Sequence, residues 1–196
     1  TGEVRAVGGD NGWEVAAIEA AANGNVRIDQ MDGTIYAESR SDTGSVWGVY
    51  AVGRNDPGVD ANEGGHVEMT VGETGRIEAG GGAAAAAIMA YNGLDLTIRG
   101  DVIARSAEGG ANWAIYAGKT TRIDPSRFGD DLFWSVADDT VVLDGATIEG
   151  DIDLTGGENT VTLTGEGTLA GDIRDSNGVD RFSAMREGRL PATFRD

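Results

Sequence analysis

The sequence predicts an all-β protein built as a parallel solenoid with three short strands in each coil. Three observations predict it: short segments that alternate apolar and polar residues, glycine-rich turns between them, and similar phrases that return along the chain. Alternation with a period of two is typical of strands, and units too small to bury their own apolar face must stack on one another. We therefore expect a parallel β-helix of about six to eight coils.

The composition is compatible with one folded domain and limits the classes of partner. The chain has 196 residues, 32 of them glycine, no cysteine and a formal net charge of −18. Glycine is far above its usual share of about 7%, which suits a chain with many turns. The acidic charge argues against a nucleic-acid partner, because phosphates demand lysine and arginine. No apolar run approaches the roughly 20 residues that cross a bilayer, so we expect no membrane insertion.

Three phrases recur in the first part of the chain. The first has the pattern Gly-x-(Val/Ile)-x-Ala and starts at Gly2, Gly33, Gly75 and Gly100. The second reads AAIEA, WGVYA, AAIMA and WAIYA, and its central residues are Ile18, Val49, Ile88 and Ile115. The third follows at Asn25, His66, Leu94 and Thr121. Because the same phrase recurs one coil later, equivalent residues should lie side by side in parallel strands.

The second phrase also predicts which side chains face the core. Strict alternation puts its tryptophan and its β-branched residue on one side and its tyrosine on the other. We expect an inward column in which Trp47 and Trp113 alternate with the small Ala16 and Ala86. The outward column would then consist of Glu19, Tyr50, Met89 and Tyr116.

The repeat becomes shorter toward the C-terminus. Two units of about twenty residues begin at Thr140 and Thr160. They align Val141 with Val161 and, if one residue at Gly167 is extra, Ile148 with Leu169.

These units predict one domain over residues 1–180. It would hold longer coils in 1–123, an irregular segment in 124–139 and shorter coils in 140–180. No pattern predicts the structure of the tail, 181–196.

The repeated units resemble the passenger domain of Gram-negative autotransporters. The most specific passage is Asp138–Ile173, DDTVVLDGATIEGDIDLTGGENTVTLTGEGTLAGDI. The resemblance covers residues 2–180 and implies a right-handed, single-stranded parallel β-helix. It also implies export through the outer membrane, with the chain at the bacterial cell surface or outside the cell. The family includes adhesins, self-associating proteins and carriers of separate enzyme domains.

Residue types suited to catalysis are sparse. There is no cysteine, His66 is the single histidine, and no nucleophile-elbow motif occurs. Parallel β-helix enzymes that cleave acidic polysaccharides place acids on adjacent coils, whereas here Arg76 and Asp101 are expected to pair across coils. We therefore expect a non-catalytic scaffold for adhesion or self-association. The alternative is a polysaccharide lyase or glycosidase that uses surface aspartate and glutamate.

Three tyrosines and one methionine are the candidate binding residues. They are Tyr36, Tyr50, Met89 and Tyr116, because aromatic faces stack on sugar rings and anchor protein interfaces. A loop folded over the column is the competing interpretation. The partner would be a second copy of the chain, or a protein or glycan on a host or neighbouring cell.

No cofactor is expected, and calcium is the alternative because it binds clustered oxygen ligands. The candidate ligands in acidic turns are Asp130, Asp131, Asp138 and Asp139, or Asp175, Asn177 and Asp180.

Overall fold

A computed structural model describes most of the chain. The described residues are 2–10, 14–54, 65–107, 109–118, 137–154, 156–175, 181–185 and 194–195. They contain 17 β-strands and no helix, and hence no helix that is long and apolar enough to span a membrane.

The longer strands lie in the first part of the chain and the shorter strands follow. The first nine are β1 (Glu3–Gly8), β2 (Glu14–Asn23), β3 (Val26–Ser39), β4 (Ser45–Arg54), β5 (Val67–Gly81), β6 (Ala84–Tyr91), β7 (Leu94–Ile98), β8 (Asp101–Arg105) and β9 (Ala111–Ala117). The others are β10 (Thr140–Asp144), β11 (Thr147–Glu149), β12 (Asp151–Leu154), β13 (Thr160–Thr164), β14 (Thr168–Ala170), β15 (Ile173–Asp175), β16 (Arg181–Met185) and β17 (Phe194–Arg195).

The strands pair in parallel and form three ladders. Ladder A joins β1, β3, β5, β8, β11 and β14, and ladder B joins β2, β4, β6, β9, β12, β15 and β17. Ladder C joins β3, β5, β7, β10, β13 and β16, so the long strands β3 and β5 each serve both C and A. As far as β16 the chain visits the ladders in one repeating order, which makes the organisation solenoid-like.

The predicted register is confirmed in both parts of the chain. Ile18, Val49, Ile88 and Ile115 lie side by side in ladder B. In the shorter units Val141 pairs with Val161. Ile148 pairs with Leu169, so the extra residue does lie between these two pairs.

The apolar core lies between the three ladders. Each ladder contributes columns of branched aliphatic side chains, and Ile77, Ile88 and Ile98 are examples that are fully buried. Burial of one such side chain stabilises the fold by about 1.5–3 kcal/mol. The same small set of side chains recurs because each strand repeats the environment of the one before it.

Ladder C differs from the prediction at one step. After β7 it continues directly to β10, where Leu96 lies beside Val141. The prediction that Thr121 continues this ladder is therefore wrong, because β10 occupies the position next to β7. Thr121 itself and residues 124–136 lie outside the described residues. Pairing also continues past residue 180, since β16 pairs with β13 and β17 with β15.

In β4, β6 and β9 of ladder B, the alternation between inward and outward side chains is interrupted once in each strand. Val49, Ile88 and Ile115 belong to the core, and so do the preceding Ala87 and Ala114. In β4 the preceding residue is Gly48, which is buried and whose Cβ, if present, would lie 2.6 Å from Cγ2 of Ile77. Two consecutive residues thus face inward in each of these strands. The residue before them, which strict alternation would direct to the core, therefore points outward.

The tryptophans consequently face outward, and the prediction that Trp47 and Trp113 fill the core is wrong. Both pack against a second apolar cluster outside the core. Their predicted alternation with Ala16 and Ala86 along the ladder is correct, since these residues are paired in register.

Candidate functional site

The outer face of ladder B carries an apolar cluster. It consists of Tyr50, Val52, Ala86, Met89 and Tyr91, with Trp47, Trp113 and Tyr116 packed against them. We call this set the outer aromatic cluster. Trp47 stacks on Tyr50 with ring centroids 5.1 Å apart, and the ring of Trp113 lies 5.0 Å from that of Tyr116.

The structure brings together three of the four predicted binding residues. Tyr50, Met89 and Tyr116 are neighbours in ladder B, as predicted. Tyr50 and Met89 are only 5% and 6% exposed, so the column is covered at these two positions. Tyr36 lies apart in ladder A, with the guanidinium of Arg5 4.9 Å from its ring centroid. A binding role stays a prediction for all four residues.

Two phenols of the outer aromatic cluster, those of Tyr91 and Tyr116, are held in the neutral form. Burial raises the pKa of Tyr91, whose hydroxyl lies 3.6 Å from Sδ of Met89. Burial also raises the pKa of Tyr116, and the negative charge of Asp153 adds to the effect. The face therefore presents uncharged aromatic rings over the whole physiological pH range.

The outer column of ladder B changes from aromatic to charged between β9 and β12. Tyr116 lies beside Asp153, and Asp153 lies beside Arg174 of the next strand. In the adjoining column Trp113 lies beside Asp151. An aromatic surface and a charged surface therefore meet along one line.

A groove opens at this line, along the corner between ladders A and B. Its volume is about 520 Å³, within the range of about 300–1,000 Å³ that is usual for small-molecule sites. The side chains that line it include those of Arg105, Ser106, Asn112, Trp113, Glu149, Asp151, Asp153 and Arg174. We call it the corner groove.

Two glycines line the corner groove where neighbouring backbone comes close. Gly150 has a φ of +118°, which favours glycine. A Cβ there would lie 2.8 Å from the backbone nitrogen of Ala114. Gly171 lines the groove one strand further on, where a Cβ would collide with the carbonyl oxygen of Gly150. At these two consecutive corners of the groove, the close approach of neighbouring backbone leaves no room for a side chain.

Ion pairs hold most of the charged groups of the corner groove. The guanidinium of Arg105 donates through Nε to Oε1 of Glu149 at 2.8 Å and through a second nitrogen to the other oxygen. This bond, more than any other interaction, lowers the pKa of Glu149. Arg174 lies 2.8 Å from Asp151. Arginine therefore orients both carboxylates.

Ladder A carries the ion pair expected from the sequence. Nη1 of Arg76 donates to Asp101 on the next strand at 3.0 Å, and Nη2 donates to Glu78 at 2.7 Å. Glu78 also accepts from Arg105 at 3.1 Å. The acids of this face are thus distributed among arginines rather than paired with one another.

His66 has no catalytic partner in the part of the chain that the structure describes. It is half-buried, and its Nδ1 lies 3.8 Å from Asp95 without a hydrogen bond.

The described calcium candidates have structural roles. Asp139 is buried, and its Oδ1 accepts the backbone N–H of Leu94 at 2.8 Å. Asp138 accepts the N–H of Glu158 at 2.6 Å. No group of three acids or histidines suited to a metal ion occurs among the described residues. Asp130 and Asp131, like Asn177 and Asp180, lie outside them, and the same holds for the side chain of Asp175.

Sequence reasoning missed the corner groove. A signal for it is present, because GDI recurs at Gly150 and Gly171, and in both copies a glycine corner precedes an acid. The sequence could not show that Trp113 faces this corner, since strict alternation points it to the core.

No protein-family model, no curated protein and no solved structure matches this chain. The resemblance to autotransporter passengers therefore rests on the sequence units and stays a prediction.

Proposed function

We propose that this chain is a non-catalytic scaffold of the bacterial cell surface that acts in adhesion or self-association. Its architecture would be a right-handed parallel β-helix of the autotransporter passenger type, exported through the outer membrane. The support is the resemblance of its sequence units, together with three parallel ladders that the chain visits in a fixed order.

The observation that carries self-association is the exposed end of the core at β1. Val4 lies beside Ile35 in ladder A. Ile35 is a core residue with 6% exposure, whereas Val4 is 44% exposed. Among the described strands β1 pairs with β3 alone, so none of them covers its other edge, and an uncovered strand edge is a template for pairing with another chain. An exposed apolar side chain therefore coincides with a strand edge that no described strand covers.

The side chains around Val4 favour a second copy of the chain as the occupant of this edge. Glu3 and Arg5 flank Val4, and both are exposed. In a two-fold antiparallel pairing centred on Val4, each Glu3 faces the Arg5 of the other copy. The two Val4 side chains then meet, and the two cores continue into each other.

Sedimentation velocity over a wide range of protein concentration tests this proposal. We expect reversible dimerisation, and we expect Val4→Asp to abolish it. Val7→Asp is the matched control, because Val7 is equally exposed but lies beside Glu38 on the outer side of the strand. Glu3→Arg alone should weaken the dimer, and Glu3→Arg with Arg5→Glu should restore it. A monomer at every concentration, or a dimer indifferent to Val4→Asp, overturns self-association through β1.

The alternative, an enzyme acting on polysaccharide, has one observation in its favour. Glu149, Asp151 and Asp153 line a single groove. A glycosidase acid needs a raised pKa, however, and Arg105 lowers that of Glu149. The test is release of reducing sugar from a polysaccharide. Release by the wild type that is lost in Asp153→Asn would support the enzyme in place of the non-catalytic scaffold.

A further inference from the structure

We infer that the corner groove binds a short neutral oligosaccharide, with one sugar ring stacked on Trp113. This inference goes beyond self-association and does not depend on it, because the groove and β1 share no residues. It would give the scaffold a ligand for adhesion.

Trp113 supplies the apolar surface that such a ligand needs. Its side chain is half-buried and lines the groove, while its ring is tilted by 56° against Tyr116. Tyr116 thus supports the indole from the side of the outer aromatic cluster. A pyranose ring has an apolar face of C–H groups, and aromatic rings bind it by stacking.

The remaining walls supply both donors and acceptors. Asn112 is exposed, and its Oδ1 accepts the N–H of Ser106, so the carboxamide is positioned. Arg105 and Arg174 offer N–H donors, and Asp153 offers carboxylate oxygens. Sugar hydroxyls both donate and accept, and they therefore suit a wall in which the two kinds of group alternate.

Charge favours a neutral ligand. Two arginines and three acids line the groove, which leaves one net negative charge, and the whole chain carries −18. An anionic polysaccharide would be repelled by the charge of the groove and by that of the whole chain. A cation would have to compete with arginines that already hold Glu149 and Asp151.

An extended peptide suits the groove less well. Peptides gain most of their affinity for a β-sheet by pairing with a free strand edge. The strands along this corner are already paired, β8 with β11 and β9 with β12. Ligand binding must therefore use the side chains.

The test is calorimetric titration of the purified chain with four neutral hexasaccharides: cellohexaose, maltohexaose, laminarihexaose and chitohexaose. We expect at least one to bind, and we expect Trp113→Ala to weaken binding by about tenfold or more. Trp47→Ala is the matched control, because Trp47 belongs to the same column and cluster but does not line the groove. It should leave affinity unchanged.

Further variants separate the possible outcomes. Asp153→Asn retains the size of the side chain and should also weaken binding, and thermal unfolding checks that each variant is folded. Titration in the Val4→Asp background should give the same affinity, which separates this inference from self-association. Absence of binding by all four sugars up to millimolar concentration overturns the inference. So does equal weakening by the two tryptophan variants, or tighter binding of polygalacturonate than of any neutral sugar.

Discussion

The indole ring of Trp47 stacks on the phenol ring of Tyr50 with centroids 5.1 Å apart. Residues three positions apart in a regular strand point to opposite faces. They share a face here because Gly48 and Val49 are both buried on the core side. This local irregularity recurs in the next two strands of ladder B, and it creates the outer aromatic cluster.

Gly48→Ala should destabilise the protein by about 1–3 kcal/mol, the usual cost of overpacking. The added Cβ would lie 2.6 Å from the carbonyl oxygen of Ala87 and from Cγ2 of Ile77. Urea unfolding measures the loss. Gly80→Ala is the control, since the nearest atom to its Cβ would be 4.0 Å away. Equal stability of the two variants would show that Gly48 is not required for the close packing.

Tyr50→Ala should cost about 3–5 kcal/mol, the range for a large aromatic side chain removed from a packed site. Tyr50 is 5% exposed, stacks on Trp47 and meets the ring of Tyr91 in a T-shaped contact. Tyr36→Ala removes the same side chain from a half-buried position in ladder A and should cost clearly less. Denaturant unfolding of both variants checks this. If Tyr50→Ala keeps wild-type stability, the residue is free to serve as a binding surface, as its sequence pattern suggested.

The strand pairing could be predicted from the sequence because each phrase repeats in its own register. Ile115 pairs with Ile88 whether their side chains point inward or outward, and the same holds for Leu169 and Ile148. Pairing depends on the position of a residue within the repeat, and the sequence shows that position directly.

The faces of the side chains could not be predicted in the same way. An extra inward residue at Gly48 or Ala114 leaves the spacing of the phrase unchanged. It nevertheless turns the side chain of the preceding tryptophan from the core to the outer face. The corner groove is lined by Trp113, which faces it because of that reversal, and by Gly150 and Gly171 at positions where turns are expected anyway. Several long-range contacts decide these features together, and no single phrase contains them.

Asp139→Ala should destabilise the fold by about 1–3 kcal/mol, because it leaves a buried donor without its acceptor. Asp139 is 4% exposed, and its carboxylate accepts the N–H of Leu94 at the start of β7. Asp139→Asn retains an acceptor oxygen and should recover most of the loss. Thermal unfolding with calcium and with a chelator completes the experiment. If calcium stabilises the wild type but not Asp139→Asn, the residue acts as a metal ligand instead.

Glu149→Gln should reveal a small stabilisation that depends on pH. Arg105 lowers the pKa of Glu149 from its ordinary value of 4.5. A carboxyl group with a lowered pKa in the folded state stabilises the protein above its unfolded-state pKa, and this contribution disappears as the pH falls through the folded-state value. Wild type should therefore exceed Glu149→Gln in stability at neutral pH, with a difference that shrinks below pH 4.5.

The size of this difference is limited by solvent. The side chains of Arg105 and Glu149 are 50% and 43% exposed, so we expect about 0.2–1 kcal/mol, as for other surface pairs. Added salt should reduce it further, because it screens exposed charges. Glu73→Gln is the control, since Glu73 is exposed and forms no ion pair among the described residues. Urea unfolding of the three proteins between neutral and acidic pH measures both effects. A difference that is independent of pH would mean that Glu149 acts through its shape and hydrogen bonds, and that its charge contributes nothing.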